Sequence, residues 1–124
     1  MNTVLVYAAL LLALASCSSR SSIDKRLIGK WETIEHQADR SPTAVEIMFT
    51  GDGRYLWSFQ GKPPVVTGRW RLDGQELITT IETQAKDSGL PLLPPQIRYQ
   101  IVRVTEHELV ISDGTTEGRW TRVR

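Results

Sequence analysis

The sequence predicts an all-β fold, a small antiparallel up-and-down barrel of eight strands that follows a short apolar leader. Three observations predict it. From Leu27 onward, apolar residues recur in short alternating runs, and none keeps helical spacing over three turns. Asp-Gly, a strong short-range signal for a tight hairpin, occurs at Asp52-Gly53, Asp73-Gly74 and Asp113-Gly114. Eight runs can be counted, at about 27–35, 44–50, 54–60, 65–72, 75–83, 97–105, 108–112 and 116–123. Consecutive hairpins make a meander, and closing the meander removes both exposed edges. An open sandwich of the same strands is the alternative architecture.

The leader comes first. Residues 4–15 read VLVYAALLLALA, an uncharged apolar run that stops at Ser16-Cys17. A membrane-spanning helix needs about 20 apolar residues, whereas the apolar region of a secretory signal has about 7–15 and ends at small residues. Leu14-Ala15-Ser16-Cys17 resembles the lipobox of bacterial lipoproteins, although Met1 to Thr3 include no lysine or arginine. That resemblance implies cleavage before Cys17, a lipidated Cys17 carrying chains such as palmitate, and a membrane tether with no span. Ser18, where an aspartate would retain such proteins in the inner membrane, implies the outer membrane, facing the periplasm.

The domain plan is then a signal at 1–16, a lipidated N-terminus with a flexible tether at 17–26, and a barrel at 27–124. Ser18-Ser19-Arg20-Ser21-Ser22 is flexible by composition. The single cysteine is taken by lipid, so the barrel stands on packing without an internal disulfide. Fifteen Lys and Arg against 14 Asp and Glu leave a net charge of +1, and no basic patch is interleaved with aromatics. Nucleic-acid binding is not expected.

Register follows from the requirement that both faces of a hairpin make sense. A three-residue loop, Gly51-Asp52-Gly53, pairs Phe49 with Tyr55, Ile47 with Trp57 and Val45 with Phe59. A two-residue turn at Asp73-Gly74 sets Trp70 against Leu77, Gly68 against Thr79 and Val66 against Ile81, with Arg71 facing Glu76. A two-residue turn at Asp113-Gly114 pairs Ile111 with Thr116 and Leu109 with Gly118, leaving Trp120 opposite His107. Between 97 and 104 the apolar parity switches from Ile97, Tyr99 and Ile101 to Val102 and Val104, which predicts a β-bulge near Ile101.

Gly-x-Trp occurs at Gly29-Lys30-Trp31, Gly68-Arg69-Trp70 and Gly118-Arg119-Trp120. In each, the glycine lets a backbone lie close while the indole fills space on the same face. At the start of the first strand, Leu27-Ile28-Gly29-Lys30-Trp31 resembles the opening motif of lipocalin-like (calycin) barrels. The resemblance implies that Trp31, beside Gly29, plugs one end of the barrel and that an arginine near the last strand packs across it. Arg122 and Arg124 are the candidates. The chain is shorter than a full lipocalin and lacks its Thr-Asp-Tyr motif, which favours a shallow or filled barrel over a large calyx.

No catalytic or metal constellation stands out. His36 with Glu35 and Asp39, and Glu106-His107-Glu108, lack the paired spacing of a zinc site and read as solvated loop charge. There is no Gly-x-Ser-x-Gly elbow, and Gly51-Asp52-Gly53 precedes no helix that would make it a phosphate loop. The expectation is a non-enzyme with no cofactor and no metal.

Two loops remain, at about 35–43 and 84–96, the second carrying Gly89-Leu90-Pro91-Leu92-Leu93-Pro94-Pro95. Loops of about 12 or more residues are uncommon and often functional. These leucines either cap the barrel or meet a ligand or partner. The leading expectation is binding of a small apolar molecule, such as a fatty acid or lipid fragment, by Ile47, Tyr55, Trp57 and Phe59, with Leu90, Leu92 and Leu93 at the mouth. The alternative is an interaction or inhibitor lipoprotein whose filled barrel presents its loops to a periplasmic protein.

Overall fold

Every alternating run becomes a strand. The computed structural model describes residues 23–35 and 43–124; the expected signal, Cys17 with the start of the expected tether, and the loop at 36–42 lie outside the described residues. The strands are β1 (Gly29–Glu35), β2 (Thr43–Phe49), β3 (Arg54–Phe59), β4 (Val66–Asp73), β5 (Glu76–Gln84), β6 (Gln96–Val104), β7 (Glu108–Ser112) and β8 (Glu117–Arg122). They form one closed antiparallel barrel in sequence order, with β8 returning to β1. This closure excludes the open sandwich.

The β2–β3 hairpin has the register expected of it, with Phe49 opposite Tyr55, Ile47 opposite Trp57 and Val45 opposite Phe59. Thr50 closes its loop, since the Arg54 N–H donates to Thr50 Oγ1 at 2.9 Å and the Gly53 N–H donates to the Thr50 carbonyl at 3.1 Å. The expected bulge in β6 is also present, as the register shifts between Ile101 and Arg103 and leaves Val102 half-exposed on the outer face.

Two turns differ from expectation. The β4–β5 turn is centred on Gly74 and Gln75, so Leu72 meets Leu77, Trp70 meets Thr79 and Gly68 meets Ile81. Arg71 consequently faces Ile78, and Glu76 pairs instead with Arg98 of β6 at 2.5 Å. The physical reason is the dihedral requirement of the turn. Gly74 has φ +63° and no other residue type among those described takes a positive φ, so glycine holds the first central position, as a type II′ turn demands.

The β7–β8 loop is likewise longer than two residues. Asp113 Oδ1 accepts from the N–H groups of Thr115 and Thr116, both at 2.9 Å, and this side-chain cap organises residues 113–116. Ile111 therefore meets Gly118, and Leu109 meets Trp120. Both corrections move the register beside the turn by two residues, which preserves the inward and outward assignments there; farther along β4–β5 a bulge sets Val66 opposite Gln84 and not Ile81.

A second bulge, between Thr67 and Gly68, has no counterpart in the sequence pattern. A Cβ on Gly68 would overlap the carbonyl oxygen of Thr80 across the ladder, so the bulge depends on glycine there.

On the outer face, Ile78 and Val110 are buried to 1% and 2% exposure although they point away from the core. Their cross-strand neighbours are arginines, Arg71 and Arg98 around Ile78 and Arg103 and Arg119 around Val110. Long arginine stems cover apolar surface while their charged ends stay in water. Much of the chain's positive charge is thus placed on the outside of the sheet.

The end at which β1 begins is closed. Residues 23–27 form a helical turn that leads into it, with Ile23 packed on the core and Leu27 fully buried. Trp31 has no exposed surface, and its Nε1–H donates to the Leu27 carbonyl at 3.0 Å. The Arg122 guanidinium lies 4.2 Å from the Trp31 ring centroid. Arg122 also donates from Nε to the Glu106 carbonyl at 2.7 Å, from Nη1 to the Ile28 carbonyl at 2.9 Å, and from Nη2 to the Arg26 carbonyl. Of the two candidate arginines, Arg122 fills the role; Arg124 reaches the His107 ring instead.

Candidate functional site

Inward-facing residues of the strands leave a cavity of about 190 Å³ toward the other end of the barrel. From β2 and β3 come Ile47, Phe49, Tyr55 and Trp57, and from β5 and β6 come Leu77, Thr79 and Tyr99. Ile111, Gly118 and Trp120 complete the wall from β7 and β8. Asp113, Thr116 and Glu117, all exposed, form the rim. The strand period of two explains why these wall residues share the interior, since each belongs to the inward parity of its strand.

The floor is largely apolar. Ile47, Phe49, Leu77 and Thr79 are all buried, and the Thr79 hydroxyl is spent on the Ile97 carbonyl at 3.3 Å. Phe49 is held by Tyr55 at a centroid distance of 5.6 Å and by the edge of Trp70 at 5.7 Å. Trp70 is itself anchored, donating from Nε1 to the Thr50 carbonyl at 2.9 Å. These contacts fix the aromatic wall before any ligand arrives.

The wall carries polar groups with spare capacity. The hydroxyls of Tyr55 and Tyr99 and the indole N–H of Trp120 have no hydrogen-bond partner among the described residues. No fully buried side-chain polar atom there lacks a partner, so these three groups reach accessible space. Burial raises the pKa of both phenols, and the negative charge of Asp113 raises Tyr99 further. Both therefore keep their protons at neutral pH and act as neutral donors. The Asp113 carboxyl is held below the usual range by the N–H groups of Thr116 and Thr115.

Of the residues expected to meet a ligand, Ile47, Tyr55 and Trp57 border the cavity. Phe59 does not, and stands edge-on to Trp57 at 5.0 Å and 79°. The three leucines divide. Leu90 and Leu93 pack down on the core, while Leu92 is 91% exposed. Gln84 fixes that split, donating from Nε2 to the Pro91 carbonyl at 2.9 Å and accepting from the Leu93 N–H at 3.0 Å. None of the three leucines borders the cavity. Sequence reasoning misses Phe49, Leu77, Tyr99, Ile111 and Trp120 as lining residues, although alternation places all of them inward.

An eight-stranded up-and-down barrel, plugged at one end by a tryptophan under an arginine and hollow toward the other, is a lipocalin-like fold. A solved structure agrees. The chain is similar to a lipocalin-like protein from Bacteroides thetaiotaomicron, with a TM-score of 0.51 and 18% identity over 79% of this chain and 97% of that one. A lipocalin-like protein from Bacteroides uniformis also matches, with a TM-score of 0.48 and 14% identity over 79% and 99% of the two chains. At such identities the first likeness establishes the fold and nothing finer. No family model and no curated protein matches the sequence.

Proposed function

We propose that this chain is a non-enzymatic binding lipoprotein, tethered to the outer membrane through Cys17, that holds a small, largely apolar molecule in its barrel. The cavity carries this reading. Its volume, about 190 Å³, exceeds the roughly 150 Å³ that accommodates benzene in an engineered protein cavity, and its floor is apolar. A few unpaired donors on an otherwise apolar wall is the usual composition of a small-molecule site.

Native mass spectrometry of the mature protein, purified gently from bacterial envelopes, tests the reading. A discrete added mass that leaves on collision is expected, and Trp57→Ala should reduce its occupancy about tenfold while the protein stays folded. A clean apo mass overturns the ligand reading and shifts attention to Leu92 as the contact for a periplasmic partner.

The tether rests on the sequence Leu14-Ala15-Ser16-Cys17. Labelled palmitate fed to expressing cells should enter the wild-type protein and not Cys17→Ser. Equal labelling of the two would remove the anchor, and with it the proposed location.

A further inference from the structure

We infer that the ligand of this cavity is a small organic cation, an amine on a compact apolar body, which it engages through aromatic faces and a carboxylate rim. The inference rests on the reading that the cavity binds a small molecule, and it specifies the charge of that molecule.

Five of the lining residues are aromatic: Phe49, Tyr55, Trp57, Tyr99 and Trp120. An ammonium is drawn to the electron-rich faces of such rings, most strongly where water is partly excluded. Among the described residues, the charged groups of the lining are Asp113 and Glu117, both acidic, and no lysine, arginine or histidine is among them. Neither carboxylate forms an ion pair among the described residues, whose four pairs are Lys30–Glu46, Arg69–Glu82, Arg98–Glu76 and Arg103–Glu108. The charge of Asp113 also acts, after burial, to raise the pKa of Tyr99 on the same lining.

The basic residues among those described are kept elsewhere. Strand alternation directs Lys30, Arg54, Arg69, Arg71, Arg98 and Arg119 to the outer face. Arg122 is the inward exception, and its donors are spent at the closed end. Lys62 and Lys86 lie in loops at the open end but do not line the cavity. Among the described residues, a fatty-acid carboxylate would therefore enter against two like charges with no cation to receive it. An ammonium of similar size meets the opposite sign at both of these carboxylates, so the described rim disfavours one class and selects the other.

Three probes of nearly equal shape and different charge test the inference: benzylamine, benzyl alcohol and benzoate. Each is titrated by calorimetry into the full mature protein in nanodiscs of zwitterionic lipid, with empty nanodiscs as the blank. Benzylamine should bind at least about tenfold tighter than benzyl alcohol, and benzoate should bind weakest. Asp113→Asn keeps the oxygen that accepts from Thr115 and Thr116, so the loop is preserved while the charge is lost. That variant, combined with Glu117→Gln, should bring benzylamine down to the level of benzyl alcohol and leave the alcohol's affinity unchanged. If benzyl alcohol or benzoate matches benzylamine, the cationic preference is wrong while the small-molecule reading survives. If none of the three binds at millimolar concentration, both fail together.

Discussion

Trp31→Ala is expected to cost the barrel about 3–5 kcal/mol, a large fraction of the stability available to a domain of this size. The indole has no exposed surface, so its removal leaves a void at the closed end. The loss goes beyond volume. The Leu27 carbonyl forfeits the indole N–H, and the Arg122 guanidinium forfeits the ring beneath it. Urea denaturation followed by fluorescence of the remaining tryptophans should show a large fall in midpoint. Trp31→Phe keeps a ring beneath Arg122 and should recover part of that loss, still lacking about 1 kcal/mol for the hydrogen bond. A Trp31→Ala loss no greater than that of a surface substitution would mean that the plug is dispensable.

Gly68→Ala is expected to destabilise nearly as much, by about 3 kcal/mol, the upper part of the overpacking range. The new Cβ would overlap the Thr80 carbonyl oxygen, with the Thr80 carbonyl carbon at 2.9 Å and the Ile81 Cα at 3.2 Å. All three are backbone atoms of a paired strand, so relief requires β4 and β5 to part at the bulge. Gly61→Ala is the matched control. Gly61 has φ +76°, and a methyl added there would meet nothing within 4 Å, so it reports left-handed backbone strain alone, about 1 kcal/mol. Equal urea midpoints for the two variants would show that close approach at Gly68 is unimportant.

Which features are legible in the sequence depends on whether parity alone can decide them. The β2–β3 register is legible because Phe49, Ile47 and Val45 must share a face with Tyr55, Trp57 and Phe59, and a one-residue error breaks that match. Parity cannot separate registers that differ by two. There the turn decides, and at 73–74 and 113–114 the deciding facts are a glycine dihedral and an aspartate side chain bonded to its own loop. The bulge beside Ile101 announces itself as a switch in apolar parity at Val102. The bulge beside Gly68 leaves no such mark, because the β5 residues beyond it, Glu82, Thr83 and Gln84, are all polar and have no apolar parity to switch.

The cavity is legible in direction but not in height. Alternation places Tyr55, Trp57 and Phe59 on the inner face, yet strand tilt determines which of them borders the empty space. Phe59 lies on the correct face and still packs against Trp57 instead. Tyr99 and Trp120 reach the cavity from strands distant in sequence, and only closure of the barrel brings them to the same space as Trp57.

The join between β1 and β8 also governs how the chain completes its folding. It consists of two paired positions, Trp31 with Arg122 and Glu32 with Thr121, and Arg122 bonds a carbonyl 94 residues upstream. Contacts between such distant segments slow folding, because their ordering entropy must be met before they return anything. During synthesis β1 exists long before β8 does, so the first strand waits with one side unpaired while the β7 edge stays open as well. A nascent barrel of seven strands thus carries two exposed edges onto which neighbouring chains can add, and arrival of β8 removes both in one step. The last strand is thereby a safeguard against aggregation as well as the final wall of the barrel.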